Sequence, residues 1–142
     1  MITKLAVTLT PRPGEHAPEV KVSVPGYSVE ELLYRTKRIE LEFDAEQGWL
    51  EVEFVNKPAL DQHMAVIIDQ VAFFDITDPR FVWSGVYYPR YPEPWYSEQN
   101  PPPPTAIHQQ TYLGWNGRWR LDFSVPVFTW IHRTLNLGWL YD

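Results

Sequence analysis

The chain has no cysteine. That excludes a disulfide framework and a thiolate metal site. Glycine is sparse, 7 in all, and none of it forms a Gly-rich loop of the kind that cradles phosphates. Basic residues are also few. Twelve Lys and Arg against 18 Asp and Glu leave a formal net charge of −6. An acidic chain with no Lys/Arg cluster lacks the electrostatic footprint of a nucleic-acid binder, so no nucleic-acid partner is expected. The one basic knot, Arg35-Thr36-Lys37-Arg38, reads as a turn between two strands. No apolar run approaches the ~20 residues of a membrane-crossing helix, so no membrane partner is expected. The start of the chain alternates and soon meets Pro11 and Pro13, which leaves no continuous apolar core for a signal peptide. The expectation is a chain made in the cytoplasm, which stays there or leaves within a released particle such as a virion.

Catalytic signatures are missing too. His16, His63, His108 and His132 are scattered, with neither H-x-H nor H-E-x-x-H spacing, and no G-x-S-x-G elbow occurs. The pairs Glu40/Glu42 and Glu51/Glu53 offer carboxylates of the type used in glycoside hydrolysis. Both lie at i, i+2 on the polar face of predicted strands, where solvated charge is the ordinary reason for them. The chain is therefore read as a non-enzyme, with no catalytic residues, no metal and no cofactor.

What is present is a composition that folds. At 142 residues, 44% hydrophobic and 21% charged, the chain is read as one globular domain over residues 1–142, long enough to bury a core. Period-two alternation marks strands at 2–9, 19–24, 37–43 and 49–55. Residues 28–34 open with Ser-x-x-Glu, which suits either one helical turn or an edge strand. Residues 44–48 read as a hairpin loop. The apolar runs around Ile67 and Phe73, split by Asp69-Gln70, suit a strand through the middle of a sandwich, with a buried helix as the alternative. Phe81-Val82-Trp83 suits a short strand or the lead into the aromatic stretch that follows. Asn116-Gly117 between aromatic and apolar flanks is a strong hairpin signal. Residues 127–131 suit another strand, and the apolar residues 136–141 an end that packs down. These amount to about eight short strands and no convincing helix, the pattern of an all-β, antiparallel β-sandwich of jelly-roll type.

Residues 85–104 stand apart. They hold Tyr87, Tyr88, Tyr91, Trp95 and Tyr96, together with Pro89, Pro92, Pro94 and Pro101 to Pro104, half of the chain's 14 prolines. Proline fixes φ and removes a backbone donor, so this stretch is expected to be a stiff extended arm, neither helix nor central strand. Trp115, Trp119 and Trp130 are expected mostly in the core.

The segment Leu50-Glu51-Val52-Glu53-Phe54-Val55-Asn56, followed by Asp61-Gln62-His63 and by Val66-Ile67-Ile68-Asp69-Gln70-Val71 with Phe74-Asp75-Ile76, resembles the calcium-dependent xylan-binding modules attached to bacterial glycan hydrolases. The resemblance covers residues 50–76. It implies a β-sandwich, and in the family it implies a calcium ion held by loop carboxylates and carbonyls against sugar hydroxyls. Here Asn56 matches, but Lys57 stands where an acidic neighbour is expected. His63 or Gln62 takes the place of the loop aspartate, which leaves Asp61 as the nearby carboxylate.

Two functions follow. The first is a non-catalytic carbohydrate-binding module, with Tyr87, Tyr88, Tyr91, Trp95 and Tyr96 as a stacking platform and Asn56, Asp61 and His63 as a polar rim for polysaccharide. The second is a structural subunit of a larger assembly, such as a phage capsid decoration, tail or fibre protein. Its arm would dock on a neighbouring subunit, which also allows a homo-oligomer.

Overall fold

A computed structural model describes residues 2–59 and 61–135. The expectation for residues 136–141 lies outside them. The chain folds as an antiparallel β-sandwich of jelly-roll type, with alternation supplying the two inner faces. The elements run β1 (Thr3–Arg12), β2 (Glu19–Val24), β3 (Tyr27–Leu32), β4 (Lys37–Phe43), β5 (Gln47–Phe54), β6 (Ala65–Phe73), β7 (Ile76–Thr77), α1 (Pro79–Trp83), β8 (Val86–Pro89), β9 (Ile107–His108), β10 (Tyr112–Leu113), β11 (Gly117–Ser124) and α2 (Val127–Leu135). One sheet has the order β10-β6-β1-β4, with β7 also on β6; the other runs β3-β2-β5-β11-β8-β9.

Leu5, Val7 and Leu9 of β1, with Ile39, Leu41 and Phe43 of β4, are buried in one core with Val20 and Val22 of β2, Leu50, Val52 and Phe54 of β5, and Trp119, Leu121 and Phe123 of β11. In β4 and β11 these alternate with exposed or half-buried polar residues, in β5 with half-buried Trp49, Glu51 and Glu53, and in β1 Ala6 is buried as well. In β6 the inward set switches parity, from Val66 and Ile68 to Val71 and Phe73. The cause is a bulge opposite Thr8 and Leu9: Thr8 pairs Gln70 and Leu9 pairs Ile68, so Asp69 is the extra residue. The Thr10 hydroxyl donates to the Asp69 carboxylate and holds it outward.

Several local expectations are corrected. Residues 28–34 contain an edge strand, β3, of the two alternatives. The loop at 44–46 is not a hairpin, because β4 pairs β1 in one sheet while β5 pairs β2 and β11 in the other. Asn116-Gly117 is no hairpin either: β10 pairs β6, and β11 pairs β5 and β8. Phe81-Val82-Trp83 belongs to a helix. Asp78 caps it by accepting the Arg80 N–H at 2.9 Å, and Pro79 sits at its start, where a missing N–H costs nothing. Residues 127–131 are helical as well. Val127 and Ile131 are buried one turn apart, with Trp130 packed beside them on Phe73 and Phe81.

The largest correction concerns the arm. Its first four strand residues form β8, an inner strand between β11 and β9. Pro89 is tolerated because it is the last strand residue, opposite Gly117. A Cβ on Gly117 would lie 2.4 Å from the Tyr88 carbonyl oxygen, and its φ of +152° suits glycine. The non-strand excursion starts after Pro89 and includes a short 3-10 turn, Tyr96–Glu98.

Candidate functional site

Alternation along β8 separates the first two of the five predicted rings. Tyr87 points inward and is 1% exposed, in the core. Its hydroxyl donates to the Trp115 carbonyl oxygen and accepts the Trp115 N–H at 3.0 Å. Burial raises its proton affinity above the ordinary tyrosine value, more strongly than the Trp115 backbone lowers it. Tyr88 points the opposite way, onto the outer face of its sheet, where the Arg118 guanidinium carbon lies 5.7 Å from its ring centre.

The other three rings come together with a fourth that sequence reasoning placed mostly in the core. Tyr91 stacks on Tyr96 at 5.4 Å and 28° and lies 5.6 Å from Trp95. Trp115 meets Trp95 at 4.8 Å and 35°, and meets Tyr91 edge-on at 5.6 Å and 74°. All four are half-buried. The Tyr91 hydroxyl donates to the Pro104 carbonyl at 2.6 Å, which ties the far end of the excursion back to its beginning. The Trp95 carbonyl accepts Glu98 N–H at 3.2 Å and the Gln99 side-chain amide at 3.0 Å. The prolines stiffen a loop that folds over its own rings rather than projecting.

Trp115 faces a polar loop at the end of β5. The Lys57 ammonium lies 5.1 Å from its ring centre and donates to the Gly114 carbonyl. Asn116 clasps the Lys57 backbone from both sides: its Oδ1 accepts the Lys57 N–H at 2.8 Å and its Nδ2 donates to the Lys57 carbonyl at 2.9 Å. Burial pulls the Lys57 proton affinity below the usual lysine value, partly opposed by the charge of Asp61. Lys57, Pro58, Ala59, Arg90, Pro92, Trp115 and Asn116 line a cleft of about 240 Å³. Asn116 was read as a turn residue and Trp115 as core; their pairing with Lys57 joins positions 59 and 58 apart in sequence, which no local pattern reveals.

None of the three predicted rim residues lines this cleft. Asn56 is structural in its contacts: its Oδ1 accepts the Glu19 N–H at 2.7 Å and its Nδ2 donates to Ala17 O at 3.0 Å. Asp61 accepts the backbone N–H groups of Met64 at 3.0 Å and His63 at 2.8 Å, which hold its carboxyl below the ordinary range. Gly14 leaves room for that carboxylate, since a Cβ there would fall 1.9 Å from Asp61 Oδ2. His63 is exposed and, with Pro13, Gly14, Glu15, Pro58, Asp61 and Gln62, lines a wider cleft of about 750 Å³.

The donor set does not suit calcium. That ion takes six to eight oxygens, usually including several carboxylates. Asn56 and the Oδ1 of Asp61 are engaged by backbone groups, and Lys57 places a positive charge beside them. Among the described residues no three His, Cys, Asp or Glu side chains converge as metal ligands.

The two antiparallel sheets and their shared core place the chain among β-sandwich proteins. It is similar in structure to a module named vCBM60, described as a calcium-dependent carbohydrate-binding module: the TM-score is 0.56 at 16% identity, over 84% of this chain and 90% of the other. It is likewise similar to vCBM60 solved with galactobiose, with a TM-score of 0.54 at 16% identity, over 84% of this chain and 97% of that one. No family model matches the sequence, and no curated protein does.

Proposed function

We propose that this chain is a non-catalytic carbohydrate-binding module that takes polysaccharide at the cleft between the aromatic cluster and the Lys57 loop. The observation that carries this reading is the pairing of Trp95 and Trp115, half-buried at 4.8 Å, with Lys57, Arg90 and Asn116 lining the space beside them. Sugar rings present apolar C–H faces to aromatic rings and hydroxyls to polar side chains, and this cleft has both. The likeness to vCBM60, one form of which holds galactobiose, supports the same reading. Trp115 lines the cleft, with Trp95 and Tyr91 packed on it and Tyr96 stacked on Tyr91. Tyr87 positions Trp115 from behind, and Tyr88 lies on another face.

The likeness to vCBM60 gives no support to the alternative of a structural subunit whose arm docks on a neighbour. The Tyr91 hydroxyl ties the excursion to Pro104, and its rings pack on the chain's own Trp115.

Pull-down with insoluble polysaccharides and affinity electrophoresis with soluble ones test the proposal. Binding to at least one class is expected, weakened about tenfold or more by Trp95→Ala and by Trp115→Ala, since tenfold is ~1.4 kcal/mol and a stacking ring is worth at least that. A folded chain that binds no polysaccharide and nothing on a broad glycan array overturns it.

A further inference from the structure

The cleft beside Trp115 has the opposite charge to the protein around it. The chain carries −6, yet the charged residues lining this cleft are Lys57 and Arg90, with no carboxylate among its lining. Both cations are fixed. The Lys57 ammonium has three donors. One goes to the Gly114 carbonyl, the Trp115 face lies behind it, and no second acceptor holds it among the described residues. Its burial disfavours its charge more than Asp61 favours it, so an anion arriving here would relieve that penalty. Arg90 is anchored by its backbone N–H on Asn116 O at 2.7 Å and by Nη1 on Glu53 at 3.0 Å, which leaves further guanidinium donors. Among the described residues no three His, Cys, Asp or Glu side chains converge here, whereas two cations line the cleft and can meet an acidic group directly.

Building on the carbohydrate-binding reading, we propose that this cleft takes an anionic sugar residue, a uronate, without a bridging metal ion: the carboxylate meets Lys57 and Arg90, and the sugar ring sits in the space lined by Pro58, Pro92 and the accessible edge of Trp115. A carboxylate is planar and suits a guanidinium fork, and the two cations line one cleft of about 240 Å³ rather than a long basic stripe.

Calorimetry with oligosaccharides of galacturonate, glucuronate and mannuronate, each beside its carboxyl-reduced neutral counterpart, tests this. The expected result is at least one uronate bound tenfold or more tightly than its neutral form. That preference should be equal in EDTA and in added calcium, and should shrink as salt rises. Lys57→Gln should erase the preference while leaving residual neutral-sugar binding, and Lys57→Arg should retain it; melting curves establish that both variants fold. Equal affinity for the charged and reduced sugars overturns the proposal, as does a preference that appears only with calcium or survives Lys57→Gln. Equal binding of a sulfated glycan marks simple ion exchange and also overturns it. Binding of neutral sugars alone defeats the uronate inference but spares the carbohydrate reading, whereas a folded chain that binds neither defeats both.

Discussion

The Tyr87 hydroxyl holds both backbone polar atoms of Trp115, donating to its carbonyl and accepting its N–H at 3.0 Å. One buried side chain from an inner strand thus fixes the loop that carries a wall of the cleft. Replacing it with Phe keeps the packing and removes both bonds. Tyr87→Phe is expected to cost about 1–3 kcal/mol of stability, because two part-buried backbone groups lose their partner. Denaturant unfolding measures that cost. Ligand affinity should fall as well, since Trp115 is no longer held. A variant as stable as the parent would show that the Trp115 backbone finds water or another partner.

The same hydroxyl makes a pH prediction. Burial raises the proton affinity of Tyr87 in the folded chain above its ordinary value of 10.0, and burial, with Tyr96 beside it, does the same to Tyr91. The folded state then holds more protons than the unfolded state above that value, so stability must fall as pH rises. The neutral-tyrosine contribution is fully present below pH ~10 and is lost progressively above it. Melting temperature recorded from neutral to strongly alkaline pH should decline there, and Tyr87→Phe should show a shallower decline. Parallel declines in the two proteins would remove Tyr87 from the explanation.

Gly117 starts β11 against the Tyr88 carbonyl, at a φ of +152°. Gly117→Ala puts a Cβ 2.4 Å from that backbone oxygen and 2.8 Å from the Pro89 Cα, with no flexible side chain to give way. A loss on the order of 3 kcal/mol or more is expected, in the range of the severe backbone substitutions. A thermal melt within a few degrees of the parent would mean that β8 can move aside.

Asn116→Ala removes the two-sided clasp on Lys57 without touching a ring. The expected cost is about 1–3 kcal/mol from the unpaired Lys57 backbone groups. Hydrogen exchange should quicken at the Lys57 amide more than at core amides of β5. Unchanged protection at Lys57 would place the clasp outside the energetics of the loop.

The sandwich was legible because most strands alternate cleanly: Leu5, Val7 and Leu9, or Leu50, Val52 and Phe54, state their inner face in the sequence. The helices were not. α1 covers only Pro79–Trp83, too short for a period to show, and its Asp78-Pro79 cap was the available signal. In α2, Val127 and Ile131 repeat at helical spacing, but the apolar residues between them mimic a strand. Asn116-Gly117 misled because a tight-turn dipeptide does not say which strands it joins. Of the aromatic residues, Tyr91, Trp95 and Tyr96 were legible as a group from the prolines around them. The roles of Tyr87 and Tyr88 depend on strand parity within β8, hidden by Pro89. Trp115 reached the cleft through a pairing with Lys57 that only the closed sandwich creates.

The clasp between Asn116 and Lys57 has a thermodynamic consequence. It joins the loop after β5 to the entry into β11, adjacent strands that pair along their whole length. The cleft beside Trp115 therefore does not exist in a partly assembled chain. Any ligand that occupies it binds only the complete fold, and its free energy is added to global stability as RT ln(1 + [L]/Kd). At 100-fold excess over Kd that is about 2.7 kcal/mol, so a shift in melting temperature reports occupancy directly, whatever the ligand.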